Sequence, residues 1–223
     1  MSGESWTHLM ARPLVRPMIG TWIRPNHLTT LRLLSGIGAC LCLAVGTRGL
    51  TEWGGALWLV SAFLDRADGE LARLGKLTSH AGHVYDYYSD FACNALFFLA
   101  AGIGLRHSWL GHWAIPLGML SSVSLLLASL FSVWIEQRSP PGVSAYSGRW
   151  GFHPDDALYL MGPLAWLGWL APILVGTAVC APIIMLITAI RLRRMIGRPD
   201  GSAGGRVSSG RVADSLARVD RPH

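Results

Sequence analysis

Five acidic residues crowd one short stretch of this chain: Asp65, Asp68, Glu70, Asp86 and Asp90. Carboxylates brought together can take a proton from an attacking hydroxyl. They can also hold hard divalent cations, and oxygen ligands favour magnesium, manganese or calcium over zinc. Asp65 and Asp68 are three residues apart and Asp86 and Asp90 four, so on helices each pair occupies one face. Small residues flank them. Gly69 and Ala72, also three apart, leave a recess that a planar base can enter, and Gly82 adds another small position. Arg73, one turn beyond Gly69, can offer a forked donor to phosphate. The neighbouring histidines offer a second reading, a zinc cluster. His80, His83 and Asp86 fall at i, i+3 and i+6, which one helix does not wrap around a single ion. Loop and interface histidines are the simpler account.

The elements that must carry these residues belong in lipid. Of 223 residues, 51% are hydrophobic and only 14% charged, with a mean hydropathy of +0.38. A soluble domain has roughly 25% charged residues. The length suits one domain. A net charge of +6 would suit nucleic acid or an anionic surface. Here, however, the arginines lie between apolar runs and in the tail, with no basic groove interleaved with aromatics. The composition therefore argues for membrane lipids as partners and against nucleic acid. Cys40, Cys42, Cys93 and Cys180 all lie in apolar runs without a CxxC pair, so they read as packing residues.

A spanning helix needs about 20 mostly apolar residues. Six candidates follow: Leu28 to Thr47, Trp53 to Gly75, Val84 to Leu105, Trp109 to Ile135, and a block up to Arg191 that is too long for one span. We divide this block near Trp169, Leu170 and Ala171, with the fifth helix starting near Asp155. Pro163, Pro172 and Pro182 are alternative kinks. The expected fold is an all-α integral membrane bundle of six transmembrane helices. Residues 1–24 form a leader, 25–197 the spanning domain and 198–223 a tail whose Gly, Ser, Arg and Asp cannot build a core. The first apolar run begins late and more follow it, so no secretory signal peptide is expected.

Orientation follows from charge. Arg12, Arg16, Arg24, Lys76, Arg138, Arg149, Arg191, Arg193, Arg194 and Arg198 fall on one side, against Arg48 and Arg106 on the other. By the positive-inside rule both termini are cytoplasmic, and Trp53, Trp109, Trp113, Trp166 and Trp169 mark the outer ends. In the leader, Trp6, Leu9, Met10, Leu14, Met18 and Trp22 alternate with Arg12 and Arg16. That pattern fits an interfacial helix, although Pro13 and Pro17 fit an irregular segment equally well.

Ionisable groups within spans are expensive and by default functional. With spans two and three joined by a short loop around Lys76 to His83, both aspartate pairs come to the cytoplasmic end of a helical hairpin. There they can face a common centre, which needs cations to offset its charge.

Written as spacing, the stretch is Asp65-x2-Asp68-Gly69-x2-Ala72-Arg73-x8-Gly82-x3-Asp86-x3-Asp90. It resembles the complete signature of the CDP-alcohol phosphotransferase family, DxxDGxxARx8GxxxDxxxD, with all eight fixed positions filled. Pro25-Asn26-His27-Leu28-Thr29, leading into Arg32, also resembles the family's approach to its first span. The resemblance implies a six-helix, usually homodimeric membrane enzyme whose active site faces the cytoplasm. It implies that Asp65, Asp68 and Asp86 hold a pair of divalent ions, Mg2+ or Mn2+, that grips the donor diphosphate. Asp90, also near the metals and counted with their ligands, would accept the proton from the acceptor hydroxyl. Gly69, Arg73 and Ser79, with Asn26 and Thr29, would line the CDP pocket, beside the recess at Ala72 and Gly82.

The expected activity is therefore transfer of a phosphatidyl group from a CDP-linked lipid, CDP-diacylglycerol by preference, to a small alcohol or lipid acceptor, releasing CMP. A soluble CDP-alcohol with a lipid acceptor is the alternative. An ion-coupled transporter also uses intramembrane carboxylates, but would spread them along a path. A polyprenyl-phosphate-binding module would not need four aspartates at these offsets. Glu70 occupies a variable motif position and reads as solvent- or headgroup-facing. Arg138, Arg149 and His153 read as topology signals or as binders of an acceptor phosphate. Asp155 and Asp156 suit a helix N-terminus or contact with a polar acceptor.

Overall fold

The structure is a computed structural model that describes residues 12–13, 15–138 and 159–196. Arg149, His153, Asp155, Asp156 and the tail from residue 197 lie outside the described residues, as do Trp6, Leu9, Met10 and Leu14 of the leader. Among the described residues the fold is all-helical, with no strand. Its principal helices are α1 (Pro25–Val45), α2 (Arg48–Leu74), α3 (His80–Gly104), α4 (Ala114–Arg138), α5 (Met161–Trp166) and α6 (Leu170–Ile196).

Among the described residues, four helices are long and apolar enough to cross a membrane: α1, α3 and α4 with their adjoining turns, and α6. The 27 residues of α2 reach about 40 Å at 1.5 Å per residue, longer than the hydrocarbon core. It is less apolar than the others because Arg48 and Glu52 load one end, and Asp65, Arg66, Asp68, Glu70 and Arg73 the other. The apolar block before Arg191 does break where expected. Leu167 to Trp169 form a turn in which Gly168 takes φ +73, a left-handed conformation that a side chain would strain. Pro182 sits inside α6 without ending it. The described part of the fifth helix is only Met161–Trp166, and it is pinned to α2: Tyr159 Oη donates to the Ala62 carbonyl at 2.7 Å and Trp166 Nε1 to the Glu52 carbonyl at 2.8 Å.

The two helices that carry the aspartates do not form a close-packed hairpin, a correction to the simplest expectation. Each packs chiefly on α1, which lies between them, while α4 covers α3 and α6 packs on α4. Gly36 makes that wedge possible. A Cβ there would stand 2.7 Å from Cys93 Sγ on α3 and 3.1 Å from Ser61 Oγ on α2. Below it, Trp58 and Phe97 pack at a tilt, ring centroids 4.3 Å apart, within a buried cluster that includes Leu43, Phe98 and Leu174. At the far end, Gly46 and Gly104 bring the ends of α1 and α3 into backbone contact. Arg106 donates there to the Ala44 and Ile103 carbonyls. Trp53, Trp109, Trp113, Trp166 and Trp169 are all exposed at that same end. The five tryptophans thus mark the end of the bundle opposite the acidic cluster, where rings prefer a lipid–water interface.

Part of the leader packs on the basic end. Val15 is buried against Leu28, Ala67 and Leu71, with Met18 and Ile23 beside it. Trp22 stays exposed.

Gly36→Ala is expected to destabilise the bundle by about 1–3 kcal/mol through overpacking at the three-helix junction. Gly38→Ala, whose Cβ would meet only Leu57 at an ordinary 3.5 Å, is expected to be neutral or mildly stabilising. Thermal unfolding in detergent compares the two.

Candidate active site

Asp65 and Asp68 occupy the basic-end half of α2, and Asp86 and Asp90 the first turns of α3. The α2–α3 connection is tight: Leu77 N bonds the Ala72 carbonyl, Lys76 adopts φ +53, and Ser79 caps α3 by accepting from Gly82 N at 3.0 Å. This brings ligand atoms of Asp65, Asp68 and Asp86 within 4.8 Å of one another, the only such acidic, histidine or cysteine group among the described residues. His83 is exposed, 6.3 Å from the Tyr87 ring, and outside that group. Among the described residues, no histidine joins the three aspartates.

Asp90 lies one turn along α3 from Asp86 and is joined to the other carboxylates through Arg32. This arginine of α1, its side chain only 3% exposed, is the hub. Its Nη1 meets Asp65 Oδ1 at 2.7 Å and Asp86 Oδ1 at 2.5 Å, and its Nη2 pairs with Asp90 Oδ1. Thr29, three residues earlier, donates its hydroxyl to Asp68 Oδ2 at 2.7 Å. Ser61 of α2 donates to the Arg32 carbonyl at 3.0 Å, tying helix to helix behind the cluster. Exposure rises across the site, from buried Asp68 to Asp65 at 24%, Asp86 at 35% and Asp90 at 40% of their side chains. Asp90 is therefore the most exposed of the four carboxylates.

The proposed pocket residues divide into two groups. Asn26, Ser79 and Gly82 converge: a Cβ on Gly82 would stand 3.0 Å from Ser79 Oγ and 3.2 Å from Asn26 Oδ1. Gly82 is thus a packing glycine. Gly69 is different, because a Cβ there would meet nothing within 4 Å. It keeps space open beside Asp68, on the side where Ala72 is half-buried and Arg73 exposed. Thr29 is buried, and it reaches the site through Asp68 rather than by lining an open pocket.

Two features escaped the sequence reading. Arg32 was only a residue of the lead-in segment, although a basic side chain inside the apolar run Leu28 to Val45 is the kind of signal that marks a site. Glu70 is not solvent-facing. It is 1% exposed, and its carboxylate takes Arg73 Nη2 at 2.9 Å and lies 3.5 Å from Arg12 Nε of the leader. The wedge of α1 turns that face of α2 inward, and the two arginines offset the buried charge.

The site residues fit a divalent cation on their own chemistry. They offer oxygen donors only, on two facing helices, each backed by a hydrogen-bond donor that fixes its orientation.

The family's sequence model, CDP-alcohol phosphatidyltransferase, matches residues 22–195. The chain belongs to that family. It is accordingly a transferase of substituted phosphate groups. In fold it is similar to the phosphatidylinositol phosphate synthase PgsA1 of Mycobacterium tuberculosis, a crystal structure with CDP-DAG bound. The two share 17% sequence identity and a TM-score of 0.62, over 88% of this chain and 96% of that one. No curated protein matches the sequence.

Thr29→Val removes the one donor that backs Asp68 while keeping the side-chain volume. An unpaired buried carboxylate oxygen costs about 1–3 kcal/mol, so a fall in thermal stability of that order is expected. An unchanged melting temperature would mean that Asp68 does not depend on this bond.

Proposed function

We propose that this protein transfers the phosphatidyl group of CDP-diacylglycerol to the hydroxyl of an alcohol acceptor, releasing CMP, in a divalent-metal-dependent reaction of phospholipid synthesis. The observation that carries this reading is the meeting of Asp65, Asp68 and Asp86 across two helices, beside the open space at Gly69. Membership of the family and the fold shared with a synthase solved with CDP-DAG bound support the donor.

In the proposed reaction the acceptor oxygen attacks the phosphorus that bears the diacylglycerol. The bond from that phosphorus to the bridging oxygen of the diphosphate breaks, and CMP leaves with the electron pair. Asp90, the most exposed of the four carboxylates, takes the hydroxyl proton. Mg2+ or Mn2+ held by Asp65, Asp68 and Asp86 would neutralise the diphosphate and the charge building on the leaving oxygen. Asn26 and Ser79 flank the cytidine side of the pocket, Ala72 and Gly69 admit the base, and Arg73 donates to phosphate from the side where Glu70 holds it. Thr29 and Gly82 position these groups.

The same reading completes the architecture as six spans within residues 25–197, flanked by the leader and by the tail from 198, in a homodimer. Both termini and the active site face the cytoplasm. The basic end of the bundle, where the site lies, supports that orientation.

Three outcomes test it. Purified protein given CDP-diacylglycerol, a panel of alcohols and Mg2+ or Mn2+ should release CMP and form a phosphatidyl product seen by mass spectrometry, and EDTA should abolish both. Asp90→Asn should lower kcat by about 100-fold or more, the range of general-base catalysis, while CDP-diacylglycerol still binds. Full activity would remove Asp90 from proton transfer. Gly69→Ala should raise thermal stability by about 0.5–1 kcal/mol, since an alanine suits a helix better, yet weaken donor binding. Unimpaired binding would mean that the space at Gly69 is not the donor's.

A further inference from the structure

We propose that Arg32 is the resident counter-ion of the acidic cluster, a tethered cation that takes the place of divalent ions when the protein holds none and competes with them when they bind. The proposal rests on Asp65, Asp68 and Asp86 being the cation site.

An arginine that merely joined helices would pair with carboxylates away from the ligand oxygens. Arg32 instead grips Asp65 and Asp86, two of the three groups that stand at ion-sharing distance, through a single nitrogen, and Asp90 through the other. Any cation lodged there shares its ligands with this guanidinium. Arg32 is enclosed: its side chain is 3% exposed and its backbone carbonyl accepts from Ser61. Its helix is clamped one turn later, where Gly36 touches Cys93 and Ser61. Guanidinium does not lose its proton in proteins, so the charge is permanent. One fixed positive charge cannot balance four carboxylates. It can hold them together without ions, and it must repel a dication a few ångströms away.

Removing that charge therefore has opposite effects on the empty and the loaded protein. The test is Mn2+ titration, followed by the EPR signal of free Mn2+, on detergent-purified wild type, Arg32→Gln and Arg32→Lys. Thermal unfolding in EDTA and in saturating Mn2+ accompanies it. Arg32→Gln should bind Mn2+ at least about tenfold more tightly, because a unit charge close to a dication is lost. It should melt well below wild type in EDTA and recover most of that loss in Mn2+. Arg32→Lys keeps the charge and should keep the wild-type Kd within about threefold.

An unchanged or weaker Kd in Arg32→Gln would overturn the proposal, as would an equal loss of stability with and without Mn2+, or the same tightening in Arg32→Lys. Prepared in Mn2+ throughout, Arg32→Gln should fold because the ions supply the missing charge, and failure to fold even then also counts against it. If the wild type binds no Mn2+, the metal-dependent reaction and the counter-ion role fall together. If the wild type binds and Arg32→Gln binds no better, only the counter-ion role falls.

Discussion

Four carboxylates gathered in a bundle of apolar helices repel one another, and the rest of the structure depends on how that repulsion is met. Two like charges about 4 Å apart cost about 4 kcal/mol at an effective dielectric constant near 20, and four such groups multiply the cost. The answer within the protein is Arg32, placed where its fork touches Asp65, Asp86 and Asp90 at once, with Thr29 on Asp68. A lysine could not bridge three carboxylates from two nitrogens in this way.

That requirement explains the arrangement of the helices. If α2 and α3 packed directly on each other, as a hairpin ordinarily would, their aspartates would face one another with no cation between. With α1 wedged between them, the side chains at positions 29 and 32 reach both helices, and the arms are held open at the basic end. The wedge works only because α1 presents glycine where it crosses both neighbours, at Gly36, and again where it meets Gly104 at the far end. Small residues that would be unremarkable in a soluble helix set the distance between charged groups. Below the junction the tilted Trp58–Phe97 pair and its apolar surround form a buried core. The site thus sits on a packed base, with its exposed side at the basic end of the bundle.

Much of this was legible in the sequence, because spacing on a helix determines which residues share a face. The offsets of Asp65, Asp68, Asp86 and Asp90 placed the carboxylates together, and hydropathy placed the helices and the break near Trp169. What was not legible depends on contacts distant in sequence. The role of Arg32 needs residues more than fifty positions away, and no local pattern says that the first apolar run will lie between the next two. Glu70 misled for the same reason. Its motif position tolerates variation, but its face of α2 is turned inward by α1 and by Val15 of the leader, so its charge had to find Arg73 and Arg12. Periodicity identifies faces, and only packing decides which face is inside.

Gly69 and Gly82, two fixed glycines of one signature, have unlike physical roles. Gly82 lets the start of α3 close against Asn26 and Ser79, so its lack of a side chain serves the protein's own packing. Among the described residues a Cβ at Gly69 would meet nothing within 4 Å, and a helix gains nothing from glycine in its interior, where alanine would be better by about 1 kcal/mol. Gly176 of α6 has the same open space around it, so what sets Gly69 apart is its place beside the buried Asp68. On the proposed reading that space, on the face shared with Ala72, admits a ligand close to the carboxylates. The graded exposure from Asp68 out to Asp90 then gives the ligand an inner end, where charge is held, and an outer end, where a second molecule can be met.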